Sequence, residues 1–174
     1  RHIPSTTTGR GSFIRVFLAD FDRNGQPEVV AANKGDQTGD VETLNTISWF
    51  ELNGDPILDA SWIEHEFTRV VWPINSQPID LDSDGDLDVV GGSVAENRIM
   101  WFENTTTEAI AFKEHAIDIA GTFPSRPPVV DADSLDTVDK ALAAVDHQQH
   151  GVNGFNMAFV DLNRDGRLDI ITNE

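Results

Sequence analysis

Apolar residues come in short bursts along this chain, and the bursts repeat. "FIRVFLA" (13–19) alternates, and "FNMAFV" (155–160) is mostly apolar. Each precedes an acidic stretch, and each acidic stretch is followed by a short apolar run: "VVAA", "VVGG" or "IITN". A second element follows, "ISWFEL" (47–52) and "RIMWFEN" (98–104). A third carries a histidine, "WIEHEF" (62–67) and "FKEHAI" (112–117), with the opening "RHI" (1–3) as a partial copy. Bursts this short, rich in Val, Ile, Phe and Trp and bounded by Gly, Asn and Asp, predict β-strands. The order is strand, acidic loop, strand, Trp-Phe-Glu strand, His strand. That is four strands per unit, the sequence appearance of a β-propeller blade. A β-sandwich also has many strands, but it gives no reason to repeat one loop chemistry three times.

The expected fold is therefore all-β: about three four-stranded blades in one segment spanning 1–174, with units around 4–67, 68–117 and 118–174. The chain opens on the element that ends a unit and stops before the next Trp-Phe-Glu strand. It is thus expected to be a piece of a larger propeller, since closed rings usually have about four to eight blades.

The third unit carries an insert at 121–155. In "SLDTVDKALAAVDHQQHG" (134–151), Leu135, Val138, Leu142 and Val145 recur at spacings of three and four, which predicts a short helix near 134–149. Asp133 or Ser134 would cap its start and Gly151 its end, and "SRPP" enforces an extended entry. A competing reading takes "DADSLDTVDKALAAV" as a decayed copy of the acidic loop that keeps Asp131, Asp133, Asp136 and Asp139 but lacks the turn glycine. Too few residues then remain before the next unit for two more strands, so the helix is favoured.

The acidic stretches are "DFDRNGQPE" (20–28), "DLDSDGDLD" (80–88) and "DLNRDGRLD" (161–169), all of the form D-x-[DN]-x-[DN]-G-x-x-[DE]. Two unit charges about 5 Å apart repel by roughly 0.8 kcal/mol in water and about 3 kcal/mol at an effective dielectric of 20. A loop of such pairs stays closed only around a positive charge. Ca²⁺ takes about six to eight oxygens at about 2.3–2.6 Å, and alternate residues of a tight loop can supply them. The first loop offers Asp20, Asp22, Asn24 and Glu28, the second Asp80, Asp82, Asp84 and Asp88, and the third Asp161, Asn163, Asp165 and Asp169. Position 7 holds Gln26, Asp86 or Arg167, so a ligand there would be the backbone carbonyl. Mg²⁺ keeps more of its water and suits such a loop less well. An EF-hand needs a bidentate Glu at position 12, where this chain has Ala31, Gly91 and Thr172, and it needs helical flanks. An ion-free Asp/Gly turn would explain one copy. Three copies in register, each ending on an acid, point to as many as three calcium sites whose role is to pin a hairpin.

Composition agrees. Lys+Arg is 12 against Asp+Glu 30, a net charge of −18. That excludes the basic surface which nucleic acid or an anionic membrane requires. Cysteine is absent, so thiolate metal sites and disulfides are too. No apolar run approaches the length of a membrane span, and "RHIPSTTTGRGS" lacks the apolar core of a signal peptide.

With their strand context, these loops resemble FG-GAP/VCBS repeats, the calcium-loop blades of integrin α-chain heads and of many secreted microbial and fungal proteins. The resemblance covers nearly all of the chain except the insert. It implies a propeller, usually of seven blades, structural Ca²⁺, an extracellular setting, and a binding or scaffold role toward carbohydrate or protein ligands. The first loop departs from the pattern with Pro27 and Glu28. The "W-F-E … W-x-x-H" units are also loosely similar to the propeller of fungal aldos-2-ulose dehydratase and to propellers of polysaccharide-active proteins. The alternative is therefore the propeller part of a carbohydrate-active enzyme, of dehydratase or polysaccharide lyase type. No catalytic residue matches onto this chain.

Other candidates are weaker. Trp49 and Trp101 occupy one repeated strand position and are expected to pack between blades; His65 and His115 repeat as structural hydrogen-bonders. Trp72 is the best candidate for a surface aromatic. His147 and His150, with Asp146, offer a metal or base constellation, although histidines at a helix end are more often solvated. No nucleophile elbow, phosphate loop or His-Glu-x-x-His is present.

Overall fold

The computed structural model describes residues 12–35, 45–93, 96, 98–117 and 156–172. Ten strands follow in chain order: β1 (Ser12–Ala19), β2 (Glu28–Gly35), β3 (Thr46–Leu52), β4 (Trp62–Arg69), β5 (Pro73–Ile79), β6 (Asp88–Ser93), β7 (Arg98–Asn104), β8 (Phe112–Ile117), β9 (Met157–Val160) and β10 (Asp169–Thr172). They form two four-stranded sheets, β1-β2-β3-β4 and β5-β6-β7-β8, and a β9-β10 pair. All paired strands are antiparallel neighbours in sequence. Among the described residues the fold is all-β, with two four-stranded meanders and one strand pair. The helix expected near 134–149, the loop-copy reading of the same insert, and Asp146, His147 and His150 lie outside the described residues. Of the third unit's strands, the described residues contain β9 and β10.

Register explains why the repeats look alike. Val30 faces Trp49 across the ladder and Trp49 faces His65; Val90, Trp101 and His115 form the same row in the second sheet. Side chains alternate between faces along a strand. One face of each sheet therefore carries the Val/Trp/His row, and the other carries Val29 and Phe50 or Val89 and Phe102. The sheets stack front to back. The front of the first sheet (Val30, Ile47, Trp49) shares a core with the rear of the second (Val89, Met100, Phe102). The front of the second (Val90, Ile99, Trp101) packs on Met157, Phe159 and Ile170 of β9-β10. Front-to-rear contact repeated in one direction is the arrangement of propeller blades.

Gly91 sets how closely the first two sheets approach. A Cβ there would lie 2.6 Å from Ile47 Cδ1 of the first sheet. Each Trp also stacks on its own sheet's histidine. The Trp49 and His65 rings are 3.9 Å apart with planes at 9°, and Trp101 and His115 are 4.5 Å apart at 22°. His65 Nε2 lies 3.2 Å from Glu51 and His115 Nε2 2.6 Å from Glu103. These are diagonal cross-strand neighbours, so the Glu of Trp-Phe-Glu holds the His of the following strand. The repeated Trp and His residues are packing and hydrogen-bonding groups here. Trp72 is partly exposed, with Lys34 Nζ 5.4 Å from its ring centroid.

Candidate metal centre

Each acidic loop joins the first two strands of a unit, and the three share one set of hydrogen bonds. The position-6 glycine N–H donates to the position-1 aspartate: Gly25 to Asp20 at 2.9 Å, Gly85 to Asp80 at 3.1 Å and Gly166 to Asp161 at 2.9 Å. The position-5 N–H donates to the position-3 side chain, Asn24 to Asp22, Asp84 to Asp82 and Asp165 to Asn163. The position-7 N–H donates to the position-5 side chain: Gln26 to Asn24, Asp86 to Asp84 and Arg167 to Asp165. The position-2 N–H donates to the closing acid, Phe21 to Glu28, Leu81 to Asp88 and Leu162 to Asp169. Short side chains that cap nearby N–H groups in this way close tight turns. The turn requires left-handed backbone twice per loop, at Arg23, Ser83 and Arg164 (φ 57°, 65° and 63°) and at the three glycines (φ 86° to 99°). Glycine adopts that conformation freely, while other residues pay about 1–2 kcal/mol, here offset by the capping bonds.

These bonds leave oxygens over. Asp20 Oδ1 and Asp80 Oδ1 are buried without a hydrogen-bond partner, at the same loop position. Ligand atoms of Asp20, Asp22 and Glu28 lie within 4.8 Å of one another, as do those of Asp80, Asp82 and Asp84. Two oxygens on opposite sides of one Ca²⁺ are about 4.6–5.2 Å apart. The residues therefore fit a single calcium ion: an all-oxygen donor set at the right spacing, with an orphaned oxygen in each of these two loops. In the first loop Glu28 joins the cluster despite Pro27. In the second, Asp88 lies outside the cluster and accepts bonds from the N–H groups of Leu81 and Asn104. The third loop repeats the hydrogen bonds of Asp161, Asn163, Asp165 and Asp169, with an amide at position 3. The side chains at position 7 differ: the Gln26 amide donates to the Leu52 carbonyl, whereas Asp86 lies near Arg23.

Acidic side chains crowd one another in the first two loops. Burial, then the neighbouring Asp84 carboxylate, pushes the Asp86 carboxyl up to about 6. Burial also raises Glu28 and Asp88 above their ordinary values. Asp165, by contrast, is exposed and held low, first by the Arg167 N–H and then by Asn163. The first two loops thus bury acids that a cation would relieve.

Sequence reasoning missed three positions. Position 2 is apolar in each loop, and in the first two it plugs the interface to the next sheet. Phe21 is buried against Phe112, with ring centroids 4.9 Å apart, and Leu81 packs against the core shared by the second sheet and β9-β10. The recurrent Phe/Leu after the first Asp was the available signal. Arg23 reaches out of the first loop and donates to the Gly85 carbonyl of the second. Asn104 follows Trp-Phe-Glu, and its amide donates to the carbonyls of Phe21 (3.0 Å) and Leu87 (3.1 Å). The first unit has Leu52 at the equivalent position, so no repeat marked Asn104.

Compared with known proteins, residues 20–91 match the family model of the FG-GAP-like repeat. The matched stretch runs from the first residue of the first loop to Gly91 in β6. No curated protein and no solved structure matches the chain. This match over residues 20–91 is consistent with the FG-GAP/VCBS resemblance of the loops and supports a propeller-like repeat module. No helix among the described residues is long and apolar enough to cross a membrane.

Proposed function

We propose that this chain is a calcium-stabilised run of blades in a larger β-propeller, serving outside the cell as a binding or scaffold module for carbohydrate or protein ligands. The observation that carries the calcium reading is the pair of partnerless buried oxygens, Asp20 Oδ1 and Asp80 Oδ1, within matching acidic clusters. Each ion would hold the hairpin between the first two strands of its blade. The extracellular setting is the usual one for FG-GAP repeats.

The larger ring is supported by the two ends of the stack. Phe21 and Leu81 are covered by the next sheet, but their counterpart Leu162 is 64 % exposed. Ile171, the counterpart of Val30 and Val90, is 43 % exposed. At the other end, Val16 and Leu18 on the rear of the first sheet are 57 % and 66 % exposed. One end shows a bare front and the other a bare rear, and further blades of the same kind cover both.

The test is thermal melting in calcium and after chelation. At a calcium concentration about 100 times the dissociation constant, each occupied site adds roughly 2.7 kcal/mol. A melting temperature that does not fall in excess chelator rules out the calcium reading. Glycan-array binding with and without calcium tests the ligand class; no bound glycan in either condition removes carbohydrate from the proposal.

A further inference from the structure

We infer that the first two loops are one coupled unit, with Arg23 and Asn104 as positioning residues that make calcium binding in one loop strengthen binding in the other. This rests on the calcium reading above and goes beyond it, because the repeat predicts three equivalent, separate loops. Two bridges cross between the first and second loops. The Arg23 guanidinium donates to the Gly85 carbonyl. The Asn104 side-chain amide donates to Phe21 O in the first loop and Leu87 O in the second, while its backbone N–H donates to Asp88 Oδ1.

The bridges touch the parts of each loop that must be ordered to hold an ion. Gly85 O belongs to the peptide leading into Asp86, whose carbonyl is the position-7 ligand candidate. Phe21 O lies between Asp20 and Asp22, two members of the first cluster. Leu87 O and Asp88 close the second loop. An ion in the first loop fixes residues 20–28, including the left-handed Arg23, and so places its guanidinium on Gly85. The second loop then loses less conformational entropy when it binds, which is positive coupling without a change of shape. Arg23 also brings a positive charge toward the second loop, which opposes a cation there. The carboxylates of Asp80, Asp82, Asp84, Asp86 and Asp88 outnumber it, and ordering decides the sign. The corresponding bridge from the second loop onward is not available to the short side chain of Ser83, which stands where Arg23 does.

The test is calorimetric calcium titration of the full chain with individual loops silenced. Asp20→Asn with Asp22→Asn silences the first loop, Asp80→Asn with Asp82→Asn the second, and Asp161→Asn the third. Amides keep the acceptors that close each turn while removing charge. Silencing the first loop is expected to weaken the second by about fivefold or more, and silencing the second weakens the first by the same factor, because coupling is reciprocal. Silencing the third leaves both unchanged. Arg23→Ala, at an exposed residue, is expected to reduce the coupling; Asn104→Ala adds to that loss where it folds. Calcium heats that are unchanged by silencing a neighbouring loop overturn the coupling while leaving the calcium reading intact. Equal weakening from silencing the third loop also overturns it, because a general gain of stability would then account for the effect. Absence of any calcium heat in the unmodified chain overturns both.

Discussion

Replacing Gly91 by alanine should force apart the first two sheets, and the structure says by which atom. The new Cβ would sit 2.6 Å from Ile47 Cδ1, whereas Asn75 O and Phe102 Cε2 lie at an ordinary 3.5 Å. Carbon atoms pack at about 3.5–4.0 Å, so roughly 1 Å must open at one contact. Overpacking of this kind costs about 1–3 kcal/mol. Ile47→Val deletes the offending methyl and by itself costs about 0.5–1.5 kcal/mol. In the double variant the alanine methyl occupies the space that the valine leaves. Its total cost is expected near that of Ile47→Val alone, a favourable coupling equal to the overpacking cost, about 1–3 kcal/mol. Urea unfolding followed by tryptophan fluorescence at fixed calcium measures all four corners of the cycle. Additivity within about 0.5 kcal/mol would refute the front-to-rear stacking at this contact, because residues that do not meet do not couple.

The pH dependence of stability should reverse with calcium. In the ion-free protein Glu28, Asp86 and Asp88 have raised folded-state values, so their contribution is present below the ordinary carboxylate range and lost as pH rises through the folded value, about 6 for Asp86. Calcium needs Glu28 ionised as a member of the first cluster, and the charge of ionised Asp86 and Asp88 draws the ion to the second loop. Melts from pH 4 to 8 in metal-free buffer should therefore fall with pH across that window while calcium-loaded melts rise, and parallel curves would contradict the assignment. Asp86→Gln, which copies Gln26 of the first loop, should raise the melting temperature of the ion-free protein by removing the repulsion with Asp84. The same change should weaken calcium binding by the second loop, since it lowers the local negative charge; calorimetry and melting of one preparation check both signs.

Strand order, the acidic loops and the recurrence of Trp and His at matched strand positions were legible because each occurs more than once with fixed spacing. Val30, Trp49 and His65 stand in one ladder row, and Val90, Trp101 and His115 in another, which the sequence announces by repeating "WFE" and the later His. What was not legible depends on neighbouring sheets. Nothing local distinguishes Arg23 from Ser83 or Arg164 at loop position 4; only the stacked second sheet places Gly85 within its reach. Asn104 is equally silent, since its amide serves backbone carbonyls from two units that are remote in sequence. Gly91 reads as a small residue in an apolar run, and its need becomes visible only with Ile47 against it.

The apolar residue at position 2 joins the two halves of this reading. Phe21 belongs to the loop proposed to hold calcium, yet its side chain is buried in the core between the first and second sheets. Its N–H is held by Glu28 and its carbonyl by Asn104. Without a cation, repulsion among Asp20, Asp22 and Glu28 acts on the backbone that anchors this side chain. Burial of a phenylalanine contributes about 1.5–3 kcal/mol, and that contribution is secure only while the backbone beneath it is fixed. Calcium is therefore expected to stiffen the contact between blades as well as the hairpin it sits in. Hydrogen exchange resolves the two effects: chelation should expose amides of β7 and β8, across the interface from Phe21, together with those of the first loop. Loss of protection confined to residues 20–28 would show that the ion pins its own turn and nothing more.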